Sequence, residues 1–336
     1  MTRIRDNLDE FRSKCIGCGA CTDACPSHRH GGCDPQAVME GDLEKVFGCV
    51  GCGYCSRACE QGCQPKLVML ATYSLLLDIP VSQAFKDSGL SRYVSEDAPG
   101  SDLKPVWTGD DVYVMPGCVA KCEVPYVEYA ASSALRGMGF AASELPDLKC
   151  CMYPIQFGTM EDEERKGYLL GMGKTAGGRT MVSLCGGCDE AFGMVGVDSI
   201  HLIGFLHEHM DRLPRLDVPL EVAVEPGCAA IGYRDQMVEV VRAMGCVPVM
   251  YEPGCCGKGN RNVGEALMAE RQDAAADADV IVVGCPMCQK QYDAVPGGRP
   301  SMHLAELVAW AFGDTASLER HAIPAPGSRR TDRNGR

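Results

Sequence analysis

Two cysteines stand side by side at 255 and 256, bracketed by Gly254 and Gly257, with Cys228 before them and Cys285-Pro-Met-Cys288 after them. A first copy of this set runs Cys118, Cys150-Cys151 and Cys185-Gly-Gly-Cys188, so five cysteines recur in one order in two successive segments. The flanks repeat as well. Pro-Gly-Cys occurs at 116–118 and 226–228, Arg-x-Met-Gly at 136–139 and 242–245, and Ser-x-His-Leu at 199–202 and 301–304. The chain therefore contains a duplicated unit. Thiols gathered in this way are metal ligands or redox groups when the compartment keeps them reduced.

The bulk composition supports a reducing compartment. Residues 1–6 (Met-Thr-Arg-Ile-Arg-Asp) lack an apolar signal core, so export is not expected and the 22 cysteines are not a disulfide framework. The longest apolar stretch, 67–77, is broken by Thr72, Tyr73 and Ser74 and falls short of the roughly 20 residues a membrane span needs. A net charge of -13 opposes a phosphate backbone, and the tail arginines Arg329, Arg330, Arg333 and Arg336 do not reverse it. A cytoplasmic protein with no transmembrane segment of its own and no nucleic-acid partner is expected, though its partner can be membrane-bound.

A second kind of cysteine pattern precedes the duplicated one. Cys15, Cys18, Cys21, Cys25 and Pro26 form the C-x2-C-x2-C-x3-C-P run of bacterial ferredoxins, and Cys49, Cys52, Cys55 and Cys59 repeat the spacing. Gly17, Gly19, Gly51 and Gly53 let each loop approach a cluster closely. In such a pair the fourth cysteine ligates the other cluster. One set is then Cys15, Cys18, Cys21 and Cys59, and the other Cys49, Cys52, Cys55 and Cys25. Two zinc knuckles are the competing reading, but zinc sites use C-x2–4-C pairs rather than evenly spaced triplets. Glu60 replaces the second proline, and Cys63 competes with Cys59 for one ligand position. Cys33 reads as a spare loop thiol, and His28 and His30 as solvated.

The elements that must position the duplicated thiols can be read from hydrophobic runs. Each copy begins with a buried-strand pattern (112–115; 222–224) ending at Pro-Gly-Cys. A helix follows (125–138; 233–244), stopped by Gly139 or Gly245, then a strand (247–251 in the second copy) leading to the double cysteine. A further helix (161–175; 263–276), a strand (181–184; 280–283), the C-x2-C and a closing helix carrying His201 or His303 complete the unit. The order is βαβαβα twice. In a parallel sheet the loops after strands gather at one edge, so the five cysteines of each copy, all read as loop residues, converge on one site.

This architecture resembles the CCG-domain proteins, and with the ferredoxin pair in front it resembles heterodisulfide reductase of the D type, a fused C and B subunit. The resemblance covers residues 15–313 and implies an α/β fold: an α-helical two-cluster ferredoxin-like domain followed by two Rossmann-like CCG domains. The corresponding boundaries are 1–65, a helical spacer and linker at 66–111, 112–218, 219–313, and a disordered tail at 314–336. It implies two cubane 4Fe-4S clusters and a non-cubane 4Fe-4S cluster on each pentad: Cys118, Cys150, Cys151, Cys185 and Cys188; and Cys228, Cys255, Cys256, Cys285 and Cys288, the second set being catalytic.

The implied activity is that of an oxidoreductase subunit of anaerobic metabolism, in which cubanes relay electrons to clusters that reduce a heterodisulfide such as CoM-S-S-CoB. The same family contains non-catalytic electron-transfer subunits of flavin-dependent glycolate, lactate and glycerol-3-phosphate dehydrogenases. Either reading requires a flavin-containing or other electron-donor partner, since no flavin or nicotinamide fingerprint is present. Met152 departs from the family by standing where glycine should follow the first double cysteine. Lys258 and Arg261 follow the second, in what reads as a solvated loop. Cys33, Cys63, Cys122 and Cys246 are left over, and Gly171-Met-Gly-Lys-Thr175 reads as a helix end rather than a phosphate loop.

Overall fold

A computed structural model describes residues 8–77, 90, 94–153, 156, 160–252, 254–260 and 262–320. Asp78 and the Ile79-Pro80 pair, Arg261 and the arginines of the tail lie outside the described residues. The N-terminal unit is built from short helices: α1 (Leu8–Ser13), α2 (Ala20–Asp23), α3 (Pro35–Glu40), α4 (Tyr54–Arg57) and α5 (Pro65–Leu77). Brevity here follows from the cysteine runs, which must turn back every few residues. The longer α5 packs on α1, α3 and α4, and its Val68, Met69, Leu70 and Ala71 share a core with Cys25, Cys33 and Cys63. It belongs to this unit's core instead of standing between units as a spacer.

Each duplicated copy is a parallel four-stranded sheet. The first comprises β1 (Val112–Met115), α6 (Gly117–Cys122), α7 (Pro125–Gly137), β2 (Ala142–Glu144), α8 (Asp162–Thr175), β3 (Thr180–Ser183), α9 (Gly186–Gly193), β4 (Ile200–His201) and α10 (Leu202–Glu208), with strand order β2-β1-β3-β4. The second comprises β5 (Glu221–Glu225), α11 (Arg234–Ala243), β6 (Val247–Val249), α12 (Gly264–Ala274), β7 (Val280–Val283), α13 (Pro286–Asp293), β8 (Ser301–His303) and α14 (Leu304–Ala311), in the matching order β6-β5-β7-β8. The α/β class and duplicated parallel architecture are those expected. The structure adds β4 and β8, strands of two and three residues that are too short to show alternation. The Gly-Met-Gly-Lys-Thr stretch is the end of α8.

The two copies pack reciprocally. The closing helix of the first, α10, lies on α11 of the second, while α14 of the second lies on α7 of the first. Both contacts feed one continuous apolar core, with Val127, Ala131 and Leu135 meeting Leu304, Leu307 and Val308, and Ile203 and Leu206 meeting Met237 and Val241. Such self-complementary exchange is how two like units related by an approximate twofold bury their faces. It turns the carboxyl ends of both sheets toward each other. No helix among the described residues is long and apolar enough to cross a membrane.

One expectation is corrected at the C-terminal end. Residues 314–320 are packed, not disordered: the Tyr129 hydroxyl donates to Asp314 at 3.0 Å, Leu318 is buried, and Arg320 pairs with Asp102 at 2.6 Å. The buried side of α7 recruits this segment because its hydroxyls need acceptors.

His201 and His303 end β4 and β8 and cap the following helices, accepting at Nδ1 from the Ile203 and Ala305 amides at 3.2 Å. Glu306 completes a capping box by accepting from the His303 amide at 2.8 Å. Burial strips the imidazolium of water and pulls both histidines from 6.5 to about 4; Cys285, and for His303 also Glu306, oppose the shift. An unfolded histidine protonates near 6.5 but these only near 4, so their stabilising contribution is complete above 6.5 and is lost as pH falls from there toward 4. The urea midpoint should therefore decline across that window, at about 1.4 kcal/mol per pH unit per histidine, and decline less in a His201→Gln/His303→Gln double variant.

Candidate metal centres

Two small cavities lie inside the N-terminal unit, and cysteines line both. One, about 350 Å3, is bordered by Cys15, Cys18, Cys21, Cys59 and Cys63; the other, about 310 Å3, by Cys25, Cys33, Cys49, Cys52 and Cys55. The fourth cysteine of each run thus stands with the first three of the other. Gly17, Gly19, Gly51 and Gly53 all have left-handed backbones, with φ from 64° to 83°, so the loops close around the cavities in a form that disfavours a side chain. Four soft thiols about a cavity this small suit a cubane iron–sulfur cluster in each case.

Each cavity also holds a fifth thiol. Cys63 is buried and shares a hydrogen bond with Cys59. Cys33, expected to be spare, is only 1% exposed and hydrogen-bonds to both Cys25 and Cys49. A loop crossing between the two runs brings it there, anchored where Ser27 Oγ donates to the Gly48 carbonyl at 2.6 Å. His28 and His30 are at the surface, but His30 Nε2 lies 3.0 Å from Glu270, and Arg29 pairs with the same carboxylate at 2.9 Å. These contacts tie the loop to α12 of the second CCG copy.

The ten thiols of the pentads form one unbroken line of sulfur contacts. In the first copy Cys118 bonds to Cys150, Cys150 to Cys151, Cys151 to Cys188 at 3.3 Å, and Cys188 to Cys185. Cys185 then bonds to Cys285 of the second copy. From there the line continues through Cys288, Cys256 and Cys255 to Cys228. Cys255 has a further hydrogen bond to Cys52, a thiol of the second ferredoxin-type cavity. Within this line the thiols displace one another's proton affinities. Bonds from Cys255 and Cys288 pull Cys256 well below the usual thiol range, while its bond to Cys185 lifts Cys285 to about 11.

Local backbone explains how the thiols reach one another. Cys185 and Cys285 are the N-caps of α9 and α13, and Cys188 and Cys288 sit in their first turns, so these are helix-start residues where a loop was expected. Gly117 and Gly227, preceding Cys118 and Cys228, have φ of 80° and 87°. A Cβ on Gly227 would stand 2.9 Å from Cys285 Cβ, and one on Gly117 3.2 Å from Cys188 Sγ. The departure at Met152 leaves the turn intact: Met152 has φ 58° against 70° for Gly257, and its amide donates to Cys150 Sγ at 3.3 Å as that of Gly257 does to Cys255 Sγ at 3.4 Å. The glycines at 254 and 257 face protein. Gly254 abuts the Arg271 guanidinium and Gly257 the backbone of Gly264, each closer than a Cβ allows.

Several residues around the line carried little sequence signal. Lys258 is not in a solvated loop: it is half-buried and points at the thiols, and four thiol charges outweigh burial to raise its affinity for protons. Arg57 donates to the Cys228 carbonyl at 3.3 Å. Lys66 is buried and donates to both oxygens of Glu190 at 2.6 Å, under the ring of Tyr153, whose hydroxyl hydrogen-bonds to Glu190 and whose proton affinity is raised by burial. Burial likewise lifts Glu225, at the end of β5, to about 8. Nothing in composition separates these from surface charges. Cys122 and Cys246 join no thiol contact among the described residues.

Comparison with known proteins gives independent support. Residues 9–60 match the family described as 4Fe-4S dicluster domain, and residues 222–293, which contain the whole second pentad, match the CCG family, described as cysteine-rich domain. Among solved structures the chain is similar to one described as the crystal structure of a hypothetical protein from Helicobacter pylori, at 12% identity and a TM-score of 0.57, over 96% of this chain and 76% of that one. That likeness is one of fold.

Two outcomes follow from the cradles. Gly227→Ala, which adds about 1–2 kcal/mol of left-handed strain and displaces Cys285, should lower the iron content of the second pentad and leave the ferredoxin-type signals unchanged; full iron would show that the approach at 227 is dispensable. Cys59→Ser should damage the first ferredoxin-type centre more than Cys63→Ser, because Cys59 has the x3 spacing. An electron paramagnetic resonance (EPR) spectrum that survives in the Cys59 variant and vanishes in the Cys63 variant would transfer the ligand role to Cys63.

Proposed function

We propose that this chain, a CCG-domain iron–sulfur protein with a 4Fe-4S dicluster domain, is the cytoplasmic subunit of an oxidoreductase that reduces a small disulfide. The closest activity is that of a heterodisulfide reductase D-type subunit acting on a substrate such as CoM-S-S-CoB. Electron transfer follows from the iron–sulfur domains themselves. The finer reading rests on one observation, the uninterrupted thiol contact from Cys52 through Cys255 to Cys285 and Cys185. Cleaving a disulfide takes two electrons and two protons to give two thiols. Two cubane and two non-cubane clusters, held by the four thiol sets, would supply the one-electron carriers.

The surrounding residues suit that task. Val50, Tyr54, Val263 and Leu267 enclose Cys52, Cys228 and Cys255 in an apolar cluster that excludes water from the seam. Tyr153, near Cys151 and Cys228, keeps its phenol proton, and its partner Glu190 borders an open groove with Lys66, Arg57 and Gln64. That arrangement holds a proton between solvent and the two pentads. Electrons would come from a flavin-containing or other donor subunit.

Anaerobically prepared protein should contain about sixteen irons and as many acid-labile sulfides. Once reduced, it should be oxidised by a small anionic heterodisulfide, and Cys256→Ser should abolish this while the cubane EPR signals persist. Fully loaded, reduced protein that ignores several heterodisulfides but accepts electrons from a reduced flavoprotein would make it a conduit, and move the catalytic site to the partner. Eight irons or fewer, with all cysteines intact, would remove the two-pentad reading.

A further inference from the structure

Lys258 lies in a short turn directly after the second double cysteine, with a left-handed backbone (φ 49°, ψ 29°) that lysine rarely adopts. The side chain turns inward. Its Nζ is 3.5 Å from the point a Cβ on Gly51 would occupy, and Gly51 lies between Cys49 and Cys52 of the second ferredoxin-type cavity. The ammonium therefore sits in the seam where Cys52 meets Cys255, with thiols of the second pentad on one side and Cys49 on the other. Leu70 closes the same spot, its Cδ2 being 3.2 Å from that Cβ position.

The charge needs an anion. Among the described residues, every carboxylate found in an ion pair is paired with some other cation, and the largest charge effects on Lys258 come from Cys228, Cys255, Cys256 and Cys285. Removing an ammonium from water costs several kcal/mol unless an opposite charge is fixed beside it. Cysteine-bound iron–sulfur centres are net anions, and one on each side of the seam would supply that charge. A fixed cation near two redox centres favours their reduced, more negative states.

We propose that Lys258 is a positioning residue for charge. It raises the reduction potentials of the second ferredoxin-type centre and the second CCG centre together, and so draws electrons out of the first ferredoxin-type centre toward the CCG half. This rests on the reading that both thiol sets hold clusters, but not on what the CCG centre reduces. Lys258 touches no reacting atom; it acts through the sulfur ligands.

The test is an EPR-monitored redox titration of the full chain, wild type against Lys258→Met, Lys258→Gly and Lys258→Arg. Glycine relieves the left-handed strain while deleting the charge, so it guards against a variant that merely misfolds. In the Met and Gly proteins two waves should move to more negative potential, the wave of the first ferredoxin-type centre should stay in place, and Arg should restore the wild-type values. A merely structural role predicts the reverse for Gly, with wild-type potentials and equal or higher thermal stability. Unmoved waves in fully loaded Met and Gly proteins, all waves shifting alike, or iron lost from the Gly protein would each overturn the proposal. Iron absent from the wild-type protein itself would overturn the proposed function and this inference with it, a result separable from the others because it needs no variant.

Discussion

The sulfur contact between Cys185 and Cys285 is the point on which the rest of the molecule converges. These are equivalent residues of the two copies, each the N-cap of the helix after the third strand. They meet only because the exchange of α10 and α14 turns the two sheet edges face to face. Had the copies packed side by side, each pentad would be a separate site. Reciprocal helix packing is thus the structural cause, and a single ten-thiol line is its chemical consequence.

Crowding of this kind has a cost that cations must offset. Ten thiols within contact of one another cannot all ionise without mutual repulsion, which is why neighbours along the line are driven alternately up and down in proton affinity. Iron resolves that conflict, since it deprotonates each ligand and neutralises it. Lys258 and Arg57 are the protein's own positive groups at the seam, one facing the thiols and the other held to the Cys228 carbonyl. The N-terminal unit is fixed against the second copy by the apolar cluster around Cys52 and Cys255 and by the pairing of Arg29 and His30 with Glu270. A seam held at both its centre and its rim keeps redox sites at constant separation.

The two copies have diverged without losing the geometry of the thiol turns. Met152 takes the left-handed conformation that Gly257 takes in the second copy, and the amide-to-sulfur bond survives. A buried methionine side chain repays part of the backbone strain through packing, since Met152 is 1% exposed among Met160, Leu169 and Leu148. Gly117 and Gly227 have not changed, because a side chain at either would collide with the C-x2-C thiols opposite.

Much of this was legible in the sequence, for physical reasons. Ligand spacing is a local property: thiols two or three residues apart wrap one metal cluster, so the two ferredoxin runs and both pentads are written in order along the chain. The α/β architecture was legible because buried parallel strands such as Val280–Val283 are unbroken apolar runs. The tertiary structure alone decided which distant groups meet. Cys33 looked spare because its partners Cys25 and Cys49 come from separate runs brought together by folding. Lys258 looked solvated because a lysine beside glycines usually is, and only the approach of Gly51, some two hundred residues away in sequence, encloses it. The β4 and β8 strands, the order of the seam and the junction of the two pentads depend likewise on contacts between remote segments. Sequence fixes which donors are available, and folding fixes which charges must share a buried space.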